Sequence, residues 1–342
     1  MPCARPLRSV VLVLLAACLA AVAGCSSGGI TIATEYRTVK AADGFPLQAY
    51  TNFQWSGGRE FEEPRGVLFY VQGSEDVTVL NATEKFAGAC AMGMDVVMIE
   101  RRGVQQDGTV DAATARHFAT KPHRVSDHRA AIDDYLARVN PSGPVILVGA
   151  SEGGDVAAAV AAEEPRITHV ILMGSGGGWT QAEEFRWFIT EKGSYLGMNS
   201  TADLDAQLAR VRADPDGDTE WLGHPHRRWA TFMFDRPADD LLKVNAPILV
   251  LQGDADANVP VGSARALRDL LAAAGKQNLR YVEYAGVDHR FQRADGTSLF
   301  PLVEVDIVGW MRDTGALGKA EADEFNRRVR KAHPELFAAP AK

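Results

Sequence analysis

Four short stretches of this chain are apolar without a break, and they limit its fold more than any other feature. They are Val67-Leu68-Phe69-Tyr70-Val71, Val96-Val97-Met98-Ile99, Val145-Ile146-Leu147-Val148 and Ile248-Leu249-Val250-Leu251. A strand with one wet face alternates apolar and polar residues, whereas a continuous apolar run has to be covered on both sides. Ile167 to Met173 reads as a further strand, and residues 279–284 as another. Helical patterns fall between them, at residues 82–93, 126–139, 153–163, 262–274 and about 298–313. Ser126 is the expected N-cap of the second helix, and Pro141 and Gly143 stop it. Buried strands alternating with helices imply an α/β protein whose mostly parallel central sheet is flanked by helices. Ahead of this series, Ile30 to Lys40 and Phe45 to Phe53 are expected to form two strands joined by a turn at Asp43-Gly44.

The alternation fails over residues 176–240, which hold many aromatics and charges but no clear strand. It resumes at Ile248, so the break reads as an insertion into one domain. Length alone leaves the count open, since 342 residues suit one large domain or two ordinary ones. Residues 316–336 are charged and helix-prone, as expected of a C-terminal helical tail over 314–342.

Residues 1–24 read as a bacterial export signal. Arg5 and Arg8 form a positive start, and Val10 to Ala23 is apolar or small throughout, too short to span a bilayer as a helix. The junction Val22-Ala23-Gly24-Cys25 resembles a lipobox, where a bacterial lipoprotein is acylated on Cys and cleaved before it. Cys25 is therefore the candidate lipidation site, and residues 25–30, with Ser26-Ser27-Gly28-Gly29, are a short tether. The expected location is the cell envelope, anchored through Cys25 and facing the periplasm or the exterior. An ordinary cleavage after Ala21-Val22-Ala23 is the alternative, and it would release a soluble secreted protein.

Removing Arg5 and Arg8 takes the formal charge from −8 to −10, and no block of Lys and Arg remains. Nucleic acid is thereby excluded as the expected partner, because phosphate binding needs clustered cations. Of Cys3, Cys18, Cys25 and Cys90, only Cys90 would be left free in the mature chain, so no intramolecular disulfide is possible. Cys90, in an apolar helical context, reads as a small buried hydrophobe.

Gly149-Ala150-Ser151-Glu152-Gly153 lies directly after one apolar strand and directly before a helix. A nucleophile elbow places Ser in a strained turn there and needs small neighbours where the two backbones nearly touch. Gly149, Gly153 and Gly154 satisfy that demand, although a plain turn with Ser as a helix cap satisfies it too. A serine hydroxyl needs a base, and the base needs a carboxylate to orient it. Downstream, Gly253-Asp254-Ala255-Asp256-Ala257-Asn258-Val259-Pro260 ends one strand, and Ala285-Gly286-Val287-Asp288-His289 ends the next. Open α/β sheets gather their sites at such strand ends.

In the order Ser, Asp, His and in their spacing these motifs resemble the α/β-hydrolase superfamily, over nearly all of residues 31–313. The resemblance implies an α/β-hydrolase fold with a helical lid at about 176–240, Ser151 as nucleophile, His289 as general base and Asp256 as the orienting acid. Asp254 is the rival acid, and Asp288 reads as a loop cap. The oxyanion hole would be built by the backbone N–H groups of Ser74 and Glu152. Many relatives carry His-Gly where this chain has Gln72-Gly73, which leaves the position of the Ser74 donor open. Glu100-Arg101-Arg102-Gly103 resembles a stretch of the same family and reads as structural ion pairing.

The remaining histidines carry little. His224 and His226 form His-x-His, but no Cys, Asp or Glu set at ligand spacing accompanies them, so no metal and no cofactor is implied. Four of the six tryptophans, Trp179, Trp187, Trp221 and Trp229, fall in the insertion. They suit an apolar acyl pocket, or equally the packing of the lid onto the sheet. The expected function is a serine hydrolase acting on small-molecule carboxylic esters through an acyl-enzyme. An acyl thioesterase, a small amidase or peptidase of the same fold, and an inactive hydrolase-fold binding lipoprotein are the alternatives.

Overall fold

Eight strands pair into one sheet in the order β1-β2-β4-β3-β5-β6-β9-β10 in the computed structural model, which describes residues 31–55 and 64–337. The expected export signal and Cys25 lie outside the described residues. The sheet strands are β1 (Thr31–Lys40), β2 (Pro46–Trp55), β3 (Gly66–Val71), β4 (Met94–Ile99), β5 (Val145–Ala150), β6 (His169–Met173), β9 (Ile248–Gly253) and β10 (Leu279–Tyr284). β1 pairs with β2 and β2 with β4, both antiparallel, and every other pairing in this sheet is parallel.

The apolar runs go where their composition sends them. Val67 and Phe69 of β3, Leu147 of β5, Val170 and Leu172 of β6 and Val250 of β9 face one layer of the core. Their immediate neighbours Leu68, Ile146, Val148, Ile171, Leu249 and Leu251 face the other. A side-chain period of two thus splits each run between two interiors, and each buried Val, Leu or Ile contributes about 1.5–3 kcal/mol.

Helices fill both sides. On the first face lie α3 (Lys121–Arg138), α4 (Gly153–Glu163) and α9 (Val261–Ala273), with Ile132, Tyr135, Val156 and Leu267 buried. On the second lie α1 (Ala87–Ala91) and α10 (Phe300–Asp313), with Cys90, Val303 and Trp310 buried. Burial pushes the Cys90 thiol up to about 12, so it packs as an unreactive hydrophobe. After α10 come α11 (Lys319–Ala332) and α12 (Pro334–Phe337), the expected terminal helices.

Three local expectations need correction. Ser126 lies inside α3 and does not cap it, because Pro122 fits the first turn, where its missing N–H costs nothing, and the helix begins at Lys121. The helix α2 (Ala112–Phe118) was not anticipated, and the Asp111 carboxylate caps it by accepting from Ala113 N–H at 3.1 Å. Residues 79–86 form a 3-10 helix, so only the end of the expected helix at 82–93 is α.

Between β6 and β9 the insertion folds into α5 (Gln181–Lys192), α6 (Thr201–Ala213), a two-residue ribbon of β7 (Glu220–Trp221) and β8 (His224–Pro225), α7 (His226–Phe232) and α8 (Pro237–Leu241). Its aromatics make a core of their own: Phe185, Trp221 and Trp229 pack with Ile189, Leu204 and Met233. Trp179 lies against Gly262 of α9, where any Cβ would touch its ring.

Arg102, just past β4, shows what holds the N-terminal hairpin to the rest. Its guanidinium donates to Asp127 Oδ2 at 2.8 Å and Oδ1 at 2.6 Å, and to Asp43 Oδ2 at 2.6 Å. It also lies over the rings of Phe45 and Phe118, at 4.6 and 4.5 Å from their centroids. Arg102→Met should cost about 3–5 kcal/mol, since it strands the buried Asp127 carboxylate, whereas Asp43→Asn, at an exposed partner, should cost about 1 kcal/mol or less. Urea unfolding of the two variants checks this; equal losses would show that Asp127 is not left unpaired.

Candidate active site

The parallel part of the sheet reverses direction between β3 and β5, because the chain runs from β3 outward to β4 and then returns to the other side of β3. The loops leaving these two strands therefore diverge and open a crevice at their C-terminal ends. Ser151 sits at this point, one residue past β5, with φ +54°, a conformation that a residue with a Cβ adopts only under strain. Its N–H donates to Met173 O at 2.9 Å and its carbonyl accepts from Gly154 N–H at 2.8 Å, which hold the turn. A Cβ at Gly149 would come within 2.8 Å of Gly154 Cα, and one at Gly153 within 2.6 Å of Gln72 O. Only glycine lets strand, turn and the loop from β3 meet this closely.

Three of the expected residues meet in a line. Ser151 Oγ lies 3.0 Å from His289 Nε2, and His289 Nδ1 lies 2.8 Å from Asp256 Oδ2. Asp256 is buried, and every side of its carboxylate is used. Its Oδ1 accepts from Asn258 N–H at 2.8 Å and Val259 N–H at 2.9 Å, and its Oδ2 also accepts from Gln252 Nε2 at 2.9 Å. Asp256 is thereby placed to accept from Nδ1–H and leave Nε2 free as an acceptor. Gly174, with φ +59°, lies beside the imidazole, where a Cβ would stand 3.4 Å from Nδ1. The rival acids do other work: Asp254 Oδ1 accepts from Gly286 N–H at 2.6 Å, and Asp288 Oδ1 caps its loop through Arg290 and Gln292 N–H.

The loop after β3 reaches the same point. A Cβ on Gly73 would come within 3.3 Å of Ser151 Cβ, so Ser74 follows directly on the contact with the serine. Neither Ser74 N–H nor Glu152 N–H has a backbone acceptor among the described residues. Gln72 holds this loop in place of the usual histidine, its Nε2 donating to Glu75 O at 3.1 Å and Val77 O at 3.3 Å.

Sequence reasoning missed the side chains around these two donors. Glu152 is buried, and its Oε1 accepts from Arg124 Nη1 at 2.8 Å while its Oε2 pairs with Arg228 Nη2. Arg124 Nη2 donates to Gln72 O, and Arg101 Nη1 donates to Ser74 O at 2.6 Å and pairs with Asp76 Oδ1 at 2.9 Å. Burial alone would raise the Glu152 carboxyl, but Arg228, Arg124 and Arg101 outweigh it and hold it below its usual range. Of the Glu100-Arg101-Arg102 stretch, then, Arg102 is a structural ion pair as expected and Glu100 caps the 3-10 helix through Thr78 and Val79. Arg101 instead grips the loop beside the serine. Arg227 and Arg228 likewise part company, Arg227 pairing with Asp218 at the surface and Arg228 turning inward. His224 packs against Trp229, and burial followed by Arg228 lowers it to about 4.

A family profile described as serine aminopeptidase, S33 (Hydrolase_4) matches residues 62–293. Among solved structures, Est1E from Butyrivibrio proteoclasticus with ferulic acid bound is 18% identical, covering 82% of this chain and 100% of its own, at a TM-score of 0.56. A highly thermostable carboxyl esterase from Bacillus coagulans in complex with glycerol is 16% identical over 83% of this chain and 99% of its own, at a TM-score of 0.58. The acylaminoacyl peptidase of Pyrococcus horikoshii is 13% identical over 83% of this chain and 42% of its own, also at 0.58. These likenesses establish the fold. No curated protein sequence matches the chain.

One further carboxylate lies behind the turn. Asp155 in α4 is buried, accepts from Gln181 Nε2 at 3.0 Å, and is raised by burial to about 7, with Lys121 opposing. A carboxyl raised on folding favours the folded state most below its unfolded pKa and loses that contribution as pH rises through the folded value. Asp155→Asn should therefore gain stability over the parent between pH 4 and pH 8, with little difference at pH 4. Urea melts across this range check it, and a pH-independent difference would contradict the raised carboxyl.

Proposed function

The chain belongs to the serine aminopeptidase S33 family and is a serine hydrolase of the α/β-hydrolase superfamily, and from that premise we propose that it cleaves carboxylic esters through an acyl-enzyme on Ser151. The observation that carries the reading is the unbroken series Ser151 Oγ, His289 and Asp256 at 3.0 and 2.8 Å. Ser151 Oγ bonds to the ester carbonyl carbon as its proton passes to His289 Nε2. The carbonyl oxygen becomes an oxyanion that accepts from Ser74 N–H and Glu152 N–H. Collapse breaks the bond to the alkoxide, which leaves as an alcohol with the proton from His289. Water then repeats the sequence and frees the acid.

The family description raises a second reading, release of an N-terminal amino acid from a peptide. Such a substrate brings an ammonium group that needs an acceptor in the site. Glu152 is committed to Arg124 and Arg228, and Glu184 is raised well above its usual range, first of all by burial, which disfavours its charged form. Neither carboxylate is therefore available as that acceptor. This favours uncharged or anionic small-molecule esters. It also removes the reason to expect a large acyl pocket, since Trp221 and Trp229 are spent on the core of the insertion.

A fluorophosphonate probe should label the parent and not Ser151→Ala. Asp256→Asn should lower kcat by up to about 10⁴-fold by freeing the wrong imidazole tautomer, and Asp254→Asn by much less. Steady-state kinetics on p-nitrophenyl acetate checks both, and a reversed order would assign the acid to Asp254.

The anchor is part of the same proposal. Diacylation of Cys25 would hold the enzyme on the membrane, each buried CH₂ adding about 0.8 kcal/mol. Val22-Ala23-Gly24-Cys25 supports it. Cys25→Ala should abolish metabolic labelling with a palmitate analogue and leave no membrane-bound mature form; a mature, unlipidated N-terminus at Val22, Gly24 or Ser26 would refute it.

A further inference from the structure

An oxyanion hole works only when two N–H groups stand about 2.7–3.1 Å from one oxygen. Here the two donors belong to different loops. The last paired residues of their strands are Val71 and Ala150, so both Ser74 and Glu152 lie beyond the sheet ladder. Glycines 73 and 153 permit the loops to touch, but a permitted approach is not a fixed one.

Arg124 supplies the missing constraint. It rises from α3, buried, behind both loops, and its two terminal nitrogens are each committed to one of them. Nη1 donates to Glu152 Oε1 at 2.8 Å on the side of the elbow, and Nη2 donates to the Gln72 carbonyl on the side of the β3 loop. A guanidinium is a planar, rigid fork, so it fixes the spacing of the two groups it bridges. Arg101 holds the carbonyl two residues on, Ser74 O, at 2.6 Å, and Arg228 of α7 takes the second oxygen of Glu152. Arg228 is itself wedged against Trp229 and Phe232, at 4.4 and 5.3 Å from their ring centroids.

We propose that Arg124 is a positioning residue of the oxyanion hole, a two-pronged strut that sets the gap between the Ser74 and Glu152 N–H donors by tying the Glu152 carboxylate to the Gln72 carbonyl. The proposal rests on the reading of Ser151 as nucleophile. It makes the side chain after the serine part of the apparatus, whereas the superfamily resemblance assigns that residue a backbone role alone. It also separates geometry from charge. Lysine at position 124 keeps the positive charge that offsets Glu152 but is a single point donor, unable to span both partners in fixed geometry.

The test is Arg124→Lys in the full-length chain, with p-nitrophenyl acetate as substrate and a trifluoromethyl ketone as transition-state analogue. Misplacing a donor by a fraction of an ångström should lower kcat per active site, counted from the burst amplitude, by about 10–10²-fold. KM should move by less than about threefold, because ground-state binding does not use the hole. Affinity for the ketone should fall in proportion to kcat, and the midpoint of the pH profile should stay, since the triad is untouched. A role in folding alone would reduce the burst amplitude while leaving kcat per site and ketone affinity at parent values, and that result would overturn the proposal. Should the lysine variant fail to fold, Arg124→Ala assayed with added methylguanidinium or methylammonium replaces it. Rescue by methylguanidinium alone supports the strut, and equal rescue by both overturns it in favour of charge. If a fluorophosphonate probe fails to label Ser151 in the parent, the reading of Ser151 fails and the strut with it. A parent burst with an unimpaired lysine variant removes the strut alone.

Discussion

The site depends first on how closely the turn after β5 can approach the loop after β3. That approach is a backbone-to-backbone contact in which Gly153 meets the Gln72 carbonyl and Gly73 meets the Ser151 side chain. A side chain at Gly153 would hold the loops apart, and one at Gly73 would crowd Ser151, so both would disturb the spacing of the Ser74 and Glu152 N–H groups. The sheet order creates the opportunity, since β3 and β5 are neighbours whose connections leave in opposite directions. The strained φ of Ser151 is sustained because β6, the start of α4 and the loop from β3 all press on the same turn.

The second constraint is electrostatic. A buried carboxylate one residue from the nucleophile would oppose a developing oxyanion if it stood alone. Glu152 stands between Arg124 and Arg228, with Arg101, itself paired with Asp76, beyond, so its charge is compensated behind the Ser74 and Glu152 N–H groups. Asp256 is held differently: its carboxylate accepts from Gln252 Nε2 and the Asn258 and Val259 N–H groups, and it meets the imidazole of His289 through Oδ2. The same fold thus buries two acids near one serine and gives them opposite environments.

Much of this was legible from composition and order. Strands covered on both faces must be apolar throughout, so β3, β4, β5 and β9 appear as unbroken runs, and the motifs after β5, β9 and β10 carry Ser151, Asp256 and His289. Asp256 was separable from Asp254 only by resemblance; in the structure the separation is physical, a buried carboxylate against one tied to the Gly286 turn. Of the arginine cluster only Arg101 was marked in the sequence; Arg124 and Arg228 were not, because their pairs span 28 and 76 residues and no periodicity marks a buried guanidinium. The tryptophans were ambiguous for a related reason: an aromatic in an insertion is equally suited to a pocket or to a small private core, and only the packing decides. Gln72 was legible as a departure from the usual histidine but not as a solution, since its amide acts on carbonyls three and five residues ahead.

The central claim is that Ser151 becomes covalently acylated and that the hole and triad exist to make and break that bond. Intact mass spectrometry of enzyme quenched in acid within the first turnovers on p-nitrophenyl acetate addresses it directly. The account predicts a mass increase of one acetyl group, located by proteolysis to the peptide carrying Ser151 and absent from Asp256→Asn over the same interval. Turnover without any acyl adduct, or an adduct on a different residue, would contradict it.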